Sequence, residues 1–123
     1  MSMKEHAENL VRRRARASRM GGDEAVARQH AAGKLTVRER IDRLFDKDTF
    51  TEIGLHATHA GIAPDLVGRE TPADGVVTGF GKVDGRLASV IAYDFTVMAG
   101  SMGRDAETKC NRAGRSPTPS GCR

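Results

Sequence analysis

An Asp-Gly pair between two runs of strand-forming residues constrains the fold of this chain more than any other feature of its sequence. The runs cover residues 76–83 and 86–97, and Asp84-Gly85 separates them. Asp-Gly at such a position is typical of a two-residue β-hairpin with a type I′ turn. The second run is apolar on both faces, so we expect its strand to lie centrally in a sheet. A glycine-rich turn and the first turn of a helix, from Arg104 to Lys109, are predicted to follow.

Three helices are predicted before the hairpin, over residues 4–19, 24–32 and 37–45. The third has the clearest start, because Thr36 and Glu39 fit a capping box, in which each side chain accepts a hydrogen bond from the backbone N–H of the other residue. Its apolar residues also recur at helical spacing. The chain therefore begins with helices and turns to β structure in its second half.

The net charge of +4 in this chain of 123 residues is divided between its two ends. Residues 1–40 carry ten basic and five acidic residues, residues 41–109 carry seven and eleven, and residues 110–123 carry three and none. A nucleic-acid-binding protein usually presents one continuous positive face, so this division argues against that class. A small, non-catalytic basic protein that binds nucleic acid or a partner stays as the alternative.

The sequence shows no feature that directs it to a membrane or out of the cell. No apolar run approaches the roughly 20 residues of a membrane span, and the first residues lead into a charged helix rather than an apolar targeting segment. We therefore expect a cytoplasmic protein.

The composition changes after Lys109. Residues 110–123 contain no acidic residue and no aliphatic side chain larger than alanine, and both cysteines lie there. Such a stretch fits either a disordered tail or the translation of GC-rich DNA out of frame. A shifted frame over these residues can encode a helix and the start of a strand, which favours the second explanation. We therefore divide the chain into residues 1–109 and an out-of-frame, disordered tail at 110–123.

Four motifs in the first part resemble one enzyme family. They are QHAAGKLTVRERI at 29–41, FTEI at 50–53, DGVVTGFG at 74–81 and DFTVMAGSMG at 94–103. In this order they are similar to the start of the carboxyltransferase (β) subunits of biotin-dependent propionyl-, acetyl- and methylcrotonyl-CoA carboxylases. Ala99 and Met102 depart from the glycine and leucine that the family often has. The resemblance covers residues 1–109 and stops at Lys109.

The resemblance implies an α/β fold of the crotonase type. This chain would hold the N-terminal part of that domain, with helices in residues 1–45 and a β-hairpin and strand over 75–97. The family's enzymes, classed as ligases or transferases, transfer a carboxyl group from carboxybiotin to an acyl-CoA. The backbone N–H groups that stabilise the enolate and the biotin oxyanion come later in the family's sequence. We therefore expect a truncated subunit that is inactive alone.

The resemblance also implies the partners of the parent protein. The β subunits assemble as homohexamers and work with a biotin carboxylase and biotin carrier subunit. Biotin is attached to that partner, so no cofactor is expected to bind this chain directly. Neither a nucleic acid nor a membrane is an expected partner.

Gly100, Ser101, Met102 and Gly103 are the candidate acyl-CoA-binding residues. They lie between a strand and a helix, where backbone N–H groups can face a CoA phosphate or a thioester oxygen. The resemblance places them near the acyl-CoA pocket. The alternative is a tight turn whose glycines permit close packing of helix and strand. No catalytic residue and no metal ligand is assigned.

Three other features of the sequence favour structural roles. His56 and His59 are three residues apart but lie in a loop without a cysteine or acidic residue at ligand spacing, which argues against a metal site. The arginine run at 12–16 either binds nucleic acid or an anionic surface or is a solvated helix face, and the last is the more common case. Asp94 ends an apolar strand and is expected to be a hydrogen-bonded structural carboxylate.

Overall fold

The computed structural model describes residues 1–59, 68–100 and 103–115. The helices in these ranges are α1 (Met3–Ser18), α2 (Asp23–Ala31), α3 (Val37–Leu44) and α4 (Arg104–Gly114), and the strands are β1 (Thr51–Ile53), β2 (Val76–Val83) and β3 (Arg86–Tyr93). Short 3-10 turns, Pro72–Gly75 and Met98–Gly100, precede β2 and α4. None of the helices in this part of the chain combines the length and the apolar character that crossing a membrane requires.

The predicted hairpin is confirmed. Val83 pairs with Arg86 in an antiparallel register, so Asp84 and Gly85 alone connect strands β2 and β3. Their φ angles are 50° and 77°. Two consecutive positive φ angles define the type I′ turn, and its twist matches that of the strands that it joins.

The prediction of a central strand at 86–97 is wrong for the described residues. The strand order is β1-β2-β3, so β2 is central and β3 lies at the edge. β3 also ends earlier, at Tyr93. Its side chains alternate: the even-numbered residues 88–92 pack against the core, whereas Leu87, Ile91 and Tyr93 are exposed. Apolar side chains on both faces occur in buried central strands and also in edge strands that have one exposed face. The sequence pattern alone therefore did not distinguish these two cases.

Helix α3 covers one face of the sheet and forms the core with it. Val37, Ile41 and Phe45 pack against Val77, and the rings of Phe45 and Phe50 lie 5.1 Å apart. The capping box predicted for this helix is confirmed. The Thr36 hydroxyl accepts from the Glu39 N–H, and the Glu39 carboxylate accepts from the Thr36 N–H at 2.8 Å.

Helix α4 packs against strands β2 and β3. Its buried residues are Ala106, Lys109 and Ala113, whose spacing places them on one side of the helix. The structure differs here from the predicted disorder after Lys109, because the helix continues to Gly114 and Ala113 is only 2% exposed. Alanine is small enough to fit between helix and strand, so this stretch needs no large apolar residue. Residues 116–123 lie outside the described residues, and the out-of-frame origin of the tail stays a prediction.

Candidate functional site

A buried carboxylate connects the turn before β2 with the beginning of α4. Asp74 is fully buried, and its Oδ2 accepts a hydrogen bond from the backbone N–H of Ala106 at 2.7 Å. Ala106 is the third residue of α4, and Gly103 at the N-cap position has no side chain to cap the helix. Asp74 therefore supplies from a distant turn the capping oxygen that helices usually obtain locally, and its charge suits the positive end of the helix dipole.

Gly103 lies so close to this carboxylate that no side chain fits there. A Cβ on Gly103 would overlap both carboxylate oxygens of Asp74 and would lie 2.5 Å from Nδ1 of His59. Nδ1 of His59 is 3.4 Å from Oδ1 of Asp74, and neither atom has a hydrogen-bond partner among the described residues. The glycine is therefore required by close packing between α4 and the turn before β2.

The structure describes only part of the predicted acyl-CoA-binding segment. Gly100 ends a 3-10 turn and Gly103 precedes α4, whereas Ser101 and Met102 lie outside the described residues. The close packing at Gly103 explains on structural grounds why a glycine occupies this position. The role of the segment in binding stays a prediction.

Lys109, on α4, is the second buried charged residue of this region. Its Nζ donates to the carbonyl oxygens of Ala73 at 2.7 Å and Val76 at 2.5 Å, and the residue is 5% exposed. Burial lowers the pKa of Lys109, and the nearby charges of Glu52 and Asp74 act in the opposite direction. Because its hydrogen bonds go to backbone carbonyls, Lys109 links elements of the fold rather than presenting an acid or base to a substrate.

Other polar residues of the sequence motifs also hold elements together. Arg38 on α3 forms two hydrogen bonds with Glu52 on β1, at 2.8 and 3.1 Å. Oδ1 of Asp94 accepts from the backbone N–H and the hydroxyl of Thr96, and the Thr96 hydroxyl accepts from the N–H of Gly21 at 2.9 Å. The interpretation of Asp94 as a hydrogen-bonded structural carboxylate is confirmed.

A cavity of about 450 Å³ lies between helix α1 and residues 55–59 and 68–72, and we call it the α1 cavity. Its charged and titratable lining residues are Arg13, Arg16, His56, His59, Arg69 and Glu70. Nε of Arg16 lies 2.7 Å from Oε1 of Glu70. Sequence reasoning did not single out Arg69 or Glu70, because nothing local shows that this stretch meets helix α1.

The structure separates some of the residues that lie next to each other in the sequence motifs and keeps others together. In the arginine run at 12–16, Arg13 and Arg16 line the α1 cavity, whereas Arg12 and Arg14 do not. His56 and His59 both line it. No group of three metal-ligating side chains occurs in the ranges that the structure describes.

Sequence reasoning also missed the roles of Asp74 and Lys109. Asp74 stood within a motif, but the sequence did not show that its carboxylate reaches Ala106. The burial of Lys109 could have been inferred from its position three residues after Ala106, which places both residues on the same, buried side of α4.

Comparisons with known proteins agree with the four sequence motifs. A family model described as the carboxyl transferase domain matches residues 28–122. The chain is 43% identical over 103 residues to the carboxyltransferase subunit of propionyl-CoA carboxylase from Haloferax mediterranei. The matched region covers 84% of this chain and 20% of that protein. It is 47% identical over 95 residues to the propionyl-CoA carboxylase beta chain of Saccharopolyspora erythraea. The matched region covers 77% of this chain and 17% of that protein.

A solved structure extends the likeness to the fold. The transcarboxylase 12S structure, a hexamer with methylmalonyl-CoA and methylmalonic acid bound, superposes with a TM-score of 0.88 and 36% identity. The superposition covers 94% of this chain and 22% of that one. It confirms the expected α/β class and its crotonase-type carboxyltransferase relatives. The chain spans about a fifth of the length of the relatives that it matches, and the family match continues beyond Lys109.

Proposed function

Because this chain belongs to the carboxyl transferase domain family, we propose that it forms part of a subunit that transfers a carboxyl group from carboxybiotin to an acyl-CoA. One observation carries the proposal. Nearly the whole chain is alike in structure to a transcarboxylase subunit that holds methylmalonyl-CoA. The names of the curated relatives point to an acyl-CoA of the propionyl type.

The described residues support this proposal by holding Gly103, the last residue of the predicted binding segment, in place. Asp74 and Lys109 hold α4 against the turn before β2, so Gly103, which directly precedes α4, is held there as well. We propose that this segment, Gly100, Ser101, Met102 and Gly103, contacts the acyl-CoA. We expect the donors that stabilise the enolate to come from later parts of the subunit, so the chain alone is expected to be inactive.

The partners follow from the same proposal. Biotin would reach the site as carboxybiotin on a carrier subunit, and no described residue of this chain is assigned to it. The parent subunit would assemble as a homohexamer, as the transcarboxylase 12S structure does, and would work with a biotin carboxylase.

A chimera tests the proposed function. Residues 1–109 of this chain would replace the superposed segment of the transcarboxylase 12S subunit, and transfer of a labelled carboxyl group from methylmalonyl-CoA to biotin would be measured. We expect transfer by the chimera and none by the 123-residue chain alone. A hexameric chimera that binds methylmalonyl-CoA but transfers no carboxyl group would overturn the proposal. Salt-dependent binding of nucleic acid by the 123-residue chain would instead favour the alternative of a small basic binding protein.

A further inference from the structure

The described part of the chain contains two Asp-Gly pairs that have nearly the same φ angles. These angles are 50° and 74° for Asp74 and Gly75, and 50° and 77° for Asp84 and Gly85. In such a pair the glycine nitrogen can attack the carboxyl carbon of the aspartate side chain, because glycine has no Cβ that hinders the approach. Since the φ angles do not distinguish the two pairs, their surroundings decide where this reaction occurs.

Asp74 is held away from this reaction by its packing. The residue is fully buried, and its Oδ2 accepts a hydrogen bond from the N–H of Ala106 at 2.7 Å. Gly103 lies so close to the carboxylate that the side chain has no room to turn towards the nitrogen of Gly75. The fold therefore protects this pair.

The surroundings of Asp84 are the opposite. Asp84 and Gly85 are both exposed at the tip of the hairpin, and no atom lies within 4 Å of the position that a Cβ on Gly85 would take. The carboxylate of Asp84 has no hydrogen-bond partner anywhere in residues 1–59, 68–100 and 103–115. Its side chain is free to turn, and water reaches the turn.

The carboxylate of Asp46 constrains the backbone of this turn. Its Oδ1 accepts from the N–H of Asp84 at 3.0 Å, and its Oδ2 accepts from the N–H of Gly85 at 2.8 Å. Both bonds hold the nitrogen of Gly85 in the turn, so they must loosen before this nitrogen can approach the Asp84 side chain. The rate of attack then follows the population of the locally opened turn.

We propose that Asp84 is a site of isoaspartate formation and that Asp46 limits its rate by holding the turn closed. The nitrogen of Gly85 forms a bond to Cγ of Asp84, and the amide proton and the carboxyl hydroxyl leave as water, which gives a cyclic succinimide. Water then opens the ring. Opening at Cγ restores aspartate, whereas opening at the former backbone carbonyl carbon gives isoaspartate, whose main chain runs through Cβ and Cγ.

Isoaspartate changes the hairpin in two ways. The main chain between β2 and β3 becomes one atom longer, and a two-residue type I′ turn has a fixed geometry, so the pairing of Val83 with Arg86 is lost. The reaction also leaves a free α-carboxylate at the exposed tip. This group is what an isoaspartyl carboxyl methyltransferase esterifies, so the modified chain becomes a substrate for that class of enzyme.

Incubation of the full 123-residue chain at neutral pH, followed by tryptic peptide mapping, tests the assignment. Cleavage after Arg69, Lys82 and Arg86 places the two pairs in separate peptides, 70–82 and 83–86. Electron-transfer fragmentation and enzymatic methylation both identify isoaspartate. We expect it to form in peptide 83–86 at least about tenfold faster than in 70–82, because the buried pair reacts only after a larger opening of the fold.

Denaturation provides the control for the intrinsic reactivity of the two pairs. In guanidinium chloride both are exposed, and they should form isoaspartate at similar rates. Equal rates in the folded chain would overturn the assignment. So would a folded chain that forms none in peptide 83–86 while the denatured chain does.

The role of Asp46 has its own variants. Asp46→Ala should raise the rate at Asp84 about fivefold or more, since both hydrogen bonds that close the turn are lost. Asp46→Asn keeps one acceptor oxygen and should raise it less. Asp42→Ala, on the exposed surface of α3, removes the same charge and should change the rate less than about twofold. An unchanged rate in Asp46→Ala, or an equal rise at Asp74, would overturn the control of the turn by Asp46.

Discussion

Nζ of Lys109 donates a hydrogen bond to the carbonyl oxygen of Ala73 at 2.7 Å. This bond links α4, the helix after the β2–β3 hairpin, to the turn that precedes β2. The second bond of the same Nζ, to Val76, binds the beginning of β2. One side chain thus connects α4 to residues more than thirty positions earlier in the chain. The position of Gly103, the N-cap residue of α4, depends on this connection.

Replacing Lys109 with methionine should destabilise the fold. Methionine fills similar space but leaves the carbonyls of Ala73 and Val76 without their donor, which costs about 1–3 kcal/mol. Lys82→Met is the matched control, since Lys82 is exposed on β2, and it should change the free energy of unfolding by less than about 0.5 kcal/mol. Urea unfolding followed by circular dichroism measures both. Equal destabilisation by the two variants would show that the buried amine contributes nothing specific.

Glu39 should make the stability of the N-terminal helices depend on pH in the acidic range. The Thr36 backbone N–H lowers the pKa of Glu39 below its usual 4.5, and the hydrogen bond with His30 lowers it further. A carboxyl group whose pKa is lower in the folded state stabilises the fold fully above 4.5, and this contribution is lost as pH falls through the lower, folded-state value. Glu39→Gln cannot titrate, so its difference from the wild type should shrink with acidification.

Urea midpoints at pH 7 and pH 3 measure this effect of Glu39. Glu8→Gln, on the exposed surface of α1, is the control for the loss of one negative charge. A difference between wild type and Glu39→Gln that is the same at both pH values would contradict the proposed linkage.

The features that the sequence predicted are those that neighbouring residues determine. The capping box of α3 needs Thr36 and Glu39, three residues apart, and the type I′ turn needs Asp84-Gly85 between two strands. Both depend on backbone geometry over a few positions. Either would be expected in any fold that contains this helix and this hairpin.

The features that the sequence did not predict depend on contacts between distant residues. Asp74 caps α4 from 32 positions away, and the arginines of α1 meet Arg69 only when the helix lies beside the later loop. The edge position of β3 depends on what else pairs with it, which alternation alone does not show. The candidate site therefore emerges from packing rather than from any single motif.

Gly103→Ala should destabilise the fold through overlap of its methyl group with the Asp74 carboxylate and the His59 ring. Both neighbours belong to a packed region, so the cost should be about 1–3 kcal/mol. Gly114→Ala is the matched control, because it lies in the same helix with no atom near its added Cβ, and alanine favours helix formation. Urea unfolding should show a loss for the first variant and no loss for the second. Two variants of wild-type stability would mean that the packing at Gly103 relaxes freely.

The exposed face and free edge of β3 should make the chain associate with itself. In the described part of the chain β3 has a neighbour on one side only, and Ile91 is 42% exposed there. Unpaired edges with apolar side chains favour pairing between molecules, and a lysine on the edge opposes it. Ile91→Lys should therefore shift sedimentation velocity profiles toward monomer across a concentration series. Leu10→Lys adds the same charge at a site of nearly equal exposure, 41%, on α1. If it lowers association as much as Ile91→Lys does, general charge repulsion and not the β3 edge governs self-association.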